Sequence, residues 1–312
     1  MEMKEKLNKA RPLIGLIIFS IIISIIRPKF LTTANLLNVF RQTSINAIIA
    51  AGMTFVILTS GIDLSVGSIL GFSGAVAAKM LSSGVNIWLS LLAAIFIGAI
   101  AGMLNGIIIT KGRVQPFIAT LSIMILLRGS TMVLTSGKPI AIPAATVSPV
   151  FRWIGTGSVG AIPVPVIIMA IIFLVCYYVL NHIQFGRHLY AVGGNEEASL
   201  LSGVNTDKTK ILAYTISGIL ASIAGIIITS RLSSAQPTSG EGYELDAIAA
   251  VVLGGTSLVG GQGTIIGTIV GALIIGILNN ALNLMDVQSY YQMIAKAIVI
   301  LVAVLLDKKE NN

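Results

Sequence analysis

Long apolar runs separated by short polar breaks are the feature that most limits how this chain can fold. An α-helix needs about 20 mostly apolar residues to cross the ~30 Å hydrocarbon core of a bilayer. Runs of this kind occupy residues 12–26, 44–60, 64–78, 88–110, 116–136, 164–180, 211–230, 247–285 and 287–306. The sequence therefore predicts an all-α polytopic membrane protein, with residues 1–312 forming a single transmembrane domain.

Charged residues are too scarce for a surface that is in contact with water. They make up 10% of the 312 residues, whereas soluble domains carry about 25%, and the mean hydropathy is +0.94. These values exclude a soluble globular enzyme, and the high apolar content excludes a disordered chain. The net charge of +8 is typical of the cytoplasmic ends of a membrane protein. Nucleic-acid binding is not expected, because no basic run interleaves with aromatic residues.

Two glycine-rich interruptions determine the predicted number of crossings. The run 247–285 is too long for one crossing and is broken between Gly254 and Gly263, and a second break lies near Gly61 and Asp63. When the runs are divided at these two breaks, the sequence predicts about ten transmembrane helices. This number places the basic leader, the polar segment 184–210 and both termini in the cytoplasm, as the positive-inside rule requires. Eight crossings with two re-entrant pieces would give the same sidedness.

The sequence lacks motifs for catalysis, nucleotide binding or metal binding. His182 and His188 do not have the spacing of metal ligands, and no nucleophile elbow of the Gly-x-Ser-x-Gly type accompanies them. Gly137-Lys138 is followed by proline rather than by the Ser or Thr of a phosphate-binding loop. We therefore expect no catalytic residue, metal or cofactor in this chain, and any ATP must be hydrolysed by another subunit.

Four polar residues within or beside the apolar runs are candidates for a translocation pathway: Asn46, Asp63, Ser65 and Asn105. Asp63 could line the path, since ionisable groups at membrane depth are costly, or it could be the N-cap of the following helix. The amides suit a path for polyols and suit interhelical hydrogen bonds equally well. Arg128 and Lys296 could each face a water-filled path or pair with a carboxylate in the bundle.

The polar segment 184–210 contains the signals of a short capped helix. Asn195 is a plausible N-cap, and Glu196 and Glu197 suit the positive end of a helix. This helix is predicted to run through residues 198–202 and to stop at Gly203. Such a helix could dock into a groove on a cytoplasmic partner, or the segment could be an ordinary capped loop.

This segment also resembles that of a known family, the sugar-importing ABC permeases. The sequence Gly193-Gly194-Asn195-Glu196, which follows Phe185-Gly186-Arg187, is similar to the loop of the ribose permease group. That group belongs to the bacterial branched-chain amino acid and sugar permease family. The resemblance extends over residues 30–308 and includes the sequences at 51–58, 61–67, 229–237 and 243–255.

The resemblance implies the non-catalytic permease subunit of an importer for ribose or a related monosaccharide. It implies a homodimer in the bacterial cell membrane, a cytoplasmic ATP-binding subunit and an extracytoplasmic sugar-binding protein. The resemblance further implies that six residues couple the permease to the ATPase: Gly193, Gly194, Asn195, Glu196, Ala198 and Gly203. The predicted topology places residues 231–244 outside, where four polar residues are candidates for docking the binding protein: Arg231, Ser234, Gln236 and Glu241.

Two other classes of transporter remain as alternatives. An ion-coupled secondary sugar transporter would need a titrating carboxylate in the path, and Asp63 is nearly the only candidate. A passive channel would need a repeated filter or a ring of charges, and nothing in the sequence resembles either.

Overall fold

The computed structural model describes residues 2–143 and 148–310, and almost all of its regular structure is helical. Within these residues the α-helices are α1 (Glu2–Ile26), α2 (Thr33–Leu58), α3 (Val66–Ser82), α4 (Ile87–Thr110), α5 (Pro116–Thr135), α6 (Pro149–Thr156), α7 (Val164–His182), α8 (Gln184–Gly194), α9 (Glu196–Leu201), α10 (Thr206–Leu232), α11 (Tyr243–Leu253), α12 (Ile265–Leu284) and α13 (Ser289–Glu310). A short 3-10 helix (Pro28–Leu31) joins α1 to α2. The all-α class is confirmed.

Two pairs of very short antiparallel strands complete the fold. Strand β1 (Ile140–Ala141) pairs with β4 (Ser234–Ala235), with Ile140 opposite Ala235. Strand β2 (Ser158–Val159) pairs with β3 (Ile162–Pro163). The first pair joins the segment after α5 to the segment after α10, which the sequence did not predict.

Six helices in the described residues are long and apolar enough to cross a membrane: α2, α4, α5, α7, α10 and α12. Two shorter apolar helices lie at Leu13–Ile26, within α1, and at Val66–Ser82, which is α3. Length and composition thus support a multi-pass membrane protein, while the count of about ten crossings stays a prediction.

Both predicted helix breaks are present. The chain leaves helical geometry after α2 and resumes it at α3, and it does so again between α11 and α12. Ser60, Gly255, Gly260 and Gly261 all have positive φ angles, which an α-helix cannot contain. We call residues 59–65 the first break and residues 254–264 the second break.

Helix α2 forms the centre of the bundle. Residues 43–58 are all buried, and α2 packs against α7, α10, α11 and α12. A helix that is mostly apolar on every side is expected in such a position. Helix α4 packs closely on α10, where a Cβ atom on Gly98, Gly102 or Gly106 would overlap the α10 backbone.

Helices α5 and α10 run in the same direction and define two ends of the bundle, which we name the α9 end and the strand end. At the α9 end, Pro116 at the start of α5 lines one cavity together with Asn195 and Glu196. At the strand end, β1 follows α5, β4 follows α10, and these two strands pair.

Candidate functional site

Helix α9 forms where the sequence predicted a capped helix. The Asn195 side-chain oxygen accepts a hydrogen bond from the Ala198 N–H at 2.9 Å, and Gly203 has a φ of 84° after the last turn. The Glu196 carboxylate pairs with the Lys210 ammonium at 2.6 Å, which ties α9 to the first turns of α10. The predicted capped helix is therefore confirmed, while its docking role stays a proposal.

Helix α8 precedes α9, although the sequence analysis treated this stretch as loop. Its buried residues Gly186, Leu189 and Val192 recur at every third position. That helical signal was missed because polar residues surround it and Gly193-Gly194 follows it. The Tyr190 hydroxyl donates to the Gly263 carbonyl at 3.0 Å. Burial raises the pKa of Tyr190, so the hydroxyl keeps the proton that it donates.

The end of α8 contacts both breaks directly. The Ser60 hydroxyl approaches two carbonyl oxygens, that of Gly193 at 3.2 Å and that of Val259 at 2.6 Å. The Gly261 N–H donates to the Leu58 carbonyl at 3.1 Å. One small cluster therefore contains the end of α2, the second break and the end of α8.

Gly193 and Gly194 occupy opposite environments in this cluster. A Cβ on Gly193 would overlap the Leu58 carbonyl, so only glycine fits there without a shift of the backbone. A Cβ on Gly194 would meet nothing within 4 Å. Gly193 is required for packing inside the subunit, whereas Gly194 leaves an open surface.

Asp63, Ser65 and Asn105 form one buried hydrogen-bond network. The Asp63 carboxylate accepts from the Ser65 N–H at 3.0 Å, from the Ser65 hydroxyl at 2.6 Å and from the Ser217 hydroxyl at 2.9 Å. The Asn105 amide donates to the Ser65 hydroxyl at 2.7 Å. Through these bonds the first break is attached to α4 and α10.

The interpretation of Asp63 as a helix N-cap is wrong. Helix α3 begins at Val66, and Ser65 occupies the N-cap position. The Asp63 carboxylate instead closes a turn onto the Ser65 N–H before the helix starts. Asp63 is fully buried, so in this conformation its contacts are with the protein.

Asn46 lies apart from this network, in a cavity of about 280 Å³ near the strand end that polar and apolar residues line together. The cavity is also lined by Thr43, Arg231, Asp246 and Asn279. The Thr43 hydroxyl oxygen and the side-chain amide oxygens of Asn46 and Asn279 are buried without a hydrogen-bond partner. Such a lining can exchange hydrogen bonds with water or with a polyhydroxylated solute.

The four candidates for docking are distributed around the strand end. Arg231 is in the last turn of α10 and lines the cavity of Asn46. Ser234 is in β4 and accepts a hydrogen bond from the Gln236 amide at 3.0 Å. Glu241 lies on the α5 side, where its carboxylate is 3.8 Å from the Arg128 guanidinium.

Arg128 in α5 and Lys296 in α13 both pair with carboxylates from the first turn of α11. Arg128 contacts Glu244 at 2.9 Å, and Lys296 contacts Asp246 at 2.9 Å. The pairing alternative is confirmed for both residues. Because α5 and α13 are otherwise apolar here, these pairs attach two peripheral helices to α11.

Residues 35–304 match the model of a protein family described as the permease component of the branched-chain amino acid transport system. The chain belongs to this permease family. The match confirms the resemblance drawn from the sequence, and together with the apolar helices it establishes a multi-pass membrane protein.

Named relatives of the permease are similar over nearly its whole length. The ribose import permease protein RbsC of Escherichia coli is 56% identical over 308 residues, which cover 99% of this chain and 96% of that protein. RbsC of Haemophilus influenzae is 58% identical over 301 residues, covering 96% and 93%. The D-allose transport system permease protein AlsC of E. coli is 39% identical over 280 residues, covering 89% and 85%. No solved structure matches this chain.

Two exposed leucines of the permease were missed in the sequence analysis. Leu200 is 61% and Leu201 is 89% exposed, although α9 lies in a polar segment outside the long apolar helices. Exposed apolar side chains outside the long apolar helices can contribute to a contact with a partner protein. The available signal was the Leu-Leu pair at the end of a short capped helix.

The Asp63 network predicts that asparagine is tolerated at position 63 better than leucine. Asparagine keeps an acceptor for Ser65 and offers an amide to the Ser217 hydroxyl, whereas leucine leaves buried groups unpaired at about 1–3 kcal/mol each. Asp63→Leu should therefore lower the thermal unfolding midpoint of the permease in detergent much more than Asp63→Asn. Equal losses for the two variants would contradict this account of the network.

Proposed function

We propose that this chain is the membrane permease subunit through which an ABC importer moves ribose into a bacterial cell. The observation that carries the proposal is the 56–58% identity to two RbsC proteins over almost the entire chain. Identity to the allose permease is much lower, at 39%, which supports ribose over that hexose. ATP is hydrolysed by a separate cytoplasmic subunit, and an extracytoplasmic binding protein delivers the sugar.

The proposed orientation places the α9 end in the cytoplasm. Lys111, Arg187, Lys208 and Lys210 lie in or beside the connections at this end. Short loops rich in Lys and Arg remain on the cytoplasmic side. With ten crossings, both termini are then cytoplasmic and the paired strands β1 and β4 lie outside.

The predicted pathway residues take two different roles in this proposal. Asn46 offers an unpaired amide oxygen to a sugar in the cavity near the strand end. Asp63, Ser65 and Asn105 hold the first break in place beside the path. The buried, unpaired amide oxygen of Asn46 supports the first role, and the hydrogen bonds that the Asp63 carboxylate accepts from Ser65 and Ser217 support the second.

Sugar uptake by the reconstituted system tests the function. Proteoliposomes that contain the permease, the ATPase and the binding protein should accumulate ribose only when ATP is supplied to the ATPase side. Allose and xylose serve as comparison sugars, and a non-hydrolysable ATP analogue serves as the control. Uptake by the permease alone, driven by a proton or sodium gradient, would contradict the proposal and support a secondary transporter.

The ATPase-coupling role of α9 follows from its exposed surface. Ala198, Leu200 and Leu201 are exposed, while Ser199 packs inward. A short helix with an apolar tip fits a hydrophobic groove on a partner. The Glu196–Lys210 pair and the Asn195 cap fix its orientation, and Gly203 ends it.

Gly194→Trp should block ATPase binding without unfolding the permease. The side chain would project into open space at Gly194, where the indole would obstruct a docked partner. The matched control is Ser158→Trp, an exposed position in β2 at the other end of the bundle. Co-purification of the ATPase with each variant is the measurement. Normal ATPase recovery with Gly194→Trp would remove α9 from the contact surface.

The binding protein is proposed to dock at the strand end beside Arg231, Ser234, Gln236 and Glu241. Arg231 also lines the cavity that contains Asn46, which places this surface beside the proposed entrance for the sugar. Charged residues at the edge of an interface raise the association rate more than they raise the affinity.

A cysteine at Ser234 should react with a membrane-impermeant thiol reagent from the outside, after Cys176 is replaced by alanine. Bound sugar-loaded binding protein should slow this labelling. A cysteine at Ser202, exposed at the end of α9, is the control and should react only from the cytoplasmic side. Labelling of Ser234→Cys from the cytoplasm alone would contradict both the topology and the docking site.

A further inference from the structure

A groove lined by apolar residues runs along the outside of the bundle between α7 and α10. It has a volume of about 320 Å³, and its lining includes Phe55 of α2, Val175 and Val179 of α7, and Ile216 and Leu220 of α10. Both α7 and α10 pack against α2, so buried Phe55 forms the floor of the groove and the two other helices form its walls. Val175 is 56% exposed, which shows that the groove is open to the outside.

The groove requires an apolar occupant in the membrane. Helix α7 is long and apolar enough to cross a bilayer, and exposed Leu174 and Val175 lie in its middle turns, so the groove opens into hydrocarbon. Its lining has no exposed polar surface and offers no hydrogen bond to water. An empty groove would lose the dispersion contacts of its lining on one side. Hydrocarbon therefore fills it more favourably than water or empty space.

The size of the groove favours a single acyl chain over a helix of a partner protein. On α7 the groove extends from Ile171 to Val179, which is ~12 Å at 1.5 Å per residue. A helix segment of that length and of ~10 Å diameter occupies about 940 Å³, which is far more than the volume of the groove.

One end of the groove lies at the membrane surface. Tyr177 and Tyr178 are exposed near the end of α7, and His182 stacks on Tyr178 with 5.3 Å between the ring centroids. Amphipathic aromatic rings of this kind lie at the level of the lipid headgroups. Val179, the last groove residue of α7, is therefore close to that level. In the proposed orientation this is the cytoplasmic side, so a chain in the groove belongs to the inner leaflet.

Two exposed cations lie on the cytoplasmic side of the groove. Lys208, Leu212 and Ile216 are spaced by four residues and lie along one side of α10, with Lys208 ~12 Å from Ile216 along the helix. Arg187 is exposed on α8, which packs against both α7 and α10. Among the described residues, neither Lys208 nor Arg187 forms an ion pair. Cations at this depth attract the headgroups of anionic lipids.

We propose that the groove binds one acyl chain of an anionic phospholipid of the inner leaflet, with the phosphate of that lipid beside Lys208 and Arg187. The proposal rests on the proposed function only for the orientation of the chain in the membrane. The bound lipid fills the space between α7 and α10 and thereby adds to the packing that holds α7 against α2.

Native mass spectrometry of the full-length permease, purified in detergent that contains phosphatidylglycerol, tests the groove. The unmodified permease should retain one phosphatidylglycerol per chain. Val175→Trp, whose indole would fill the groove, should lose this lipid. Leu174→Trp is the matched control, because Leu174 is an exposed apolar neighbour outside the lining, and it should retain the lipid. Equal retention by the two variants, absence of lipid from the unmodified permease, or a bound polypeptide in place of the lipid would overturn the proposal.

Titration with phosphatidylglycerol tests the headgroup contact. Lys208→Gln and Arg187→Gln should each weaken its binding about fivefold, which is the effect of one cation near an anionic lipid surface. Arg152→Gln, at an exposed position at the strand end, is the control and should leave the affinity unchanged. Zwitterionic phosphatidylethanolamine should bind more weakly than phosphatidylglycerol. Unchanged affinity for phosphatidylglycerol in both Lys208→Gln and Arg187→Gln would overturn the assignment of an anionic lipid.

The lipid site and the proposed function fail separately, because lipid retention is measured without transport. ATP-dependent ribose uptake combined with equal lipid retention by Val175→Trp and Leu174→Trp overturns only the lipid site. Selective loss of the lipid from Val175→Trp, combined with absence of uptake by the unmodified and fully assembled system, supports the site and overturns the function.

Discussion

Backbone hydrogen bonding without water is the constraint on which the rest of this structure depends. Non-helical backbone is tolerated at membrane depth only where protein or a water-filled cavity satisfies its polar groups. The first break meets this condition through its own Asp63 carboxylate, which accepts from the Ser65 N–H, and through the Tyr214 hydroxyl of α10, which donates to the Ile62 carbonyl. The second break meets it through the Gly261 N–H, which donates to the Leu58 carbonyl. Each break is thus stabilised by groups from distant parts of the chain.

The contacts that satisfy the two breaks also connect them to the α9 end. Ser60 bonds to Gly193 at the end of α8, and Tyr190 of α8 bonds to Gly263 of the second break. Direct contacts therefore lead from α9 through α8 to both breaks, with no intervening helix. The absence of room at Gly193 makes this connection rigid, because tightly packed backbones transmit movement rather than absorb it.

The sequence was informative wherever a signal was local. Apolar runs predicted the long helices, glycines predicted the breaks at Gly61 and Gly254, and the Asn195 cap with the stop at Gly203 predicted α9. Contacts between distant segments could not be predicted. Asn46 and Asp63 carry the same kind of signal, yet one lines a cavity with Arg231 and the other is buried against Ser217. The β1–β4 pair, with two residues in each strand, left no periodic pattern to detect.

Helix α11 shows how a helix too short to cross the membrane alone is held in position. Its 11 residues span about 16 Å. The carboxylates of Glu244 and Asp246 lie in its first turn, where the helix dipole favours negative charge. Residues two positions apart point in different directions, so Glu244 reaches Arg128 of α5 while Asp246 reaches Lys296 of α13. At its other end, Gly254 packs against the backbone of Gly267 in α12. Loss of either cation would leave a carboxylate of α11 unpaired. The two ion pairs therefore hold α11 in position and also hold α5 and α13 against it.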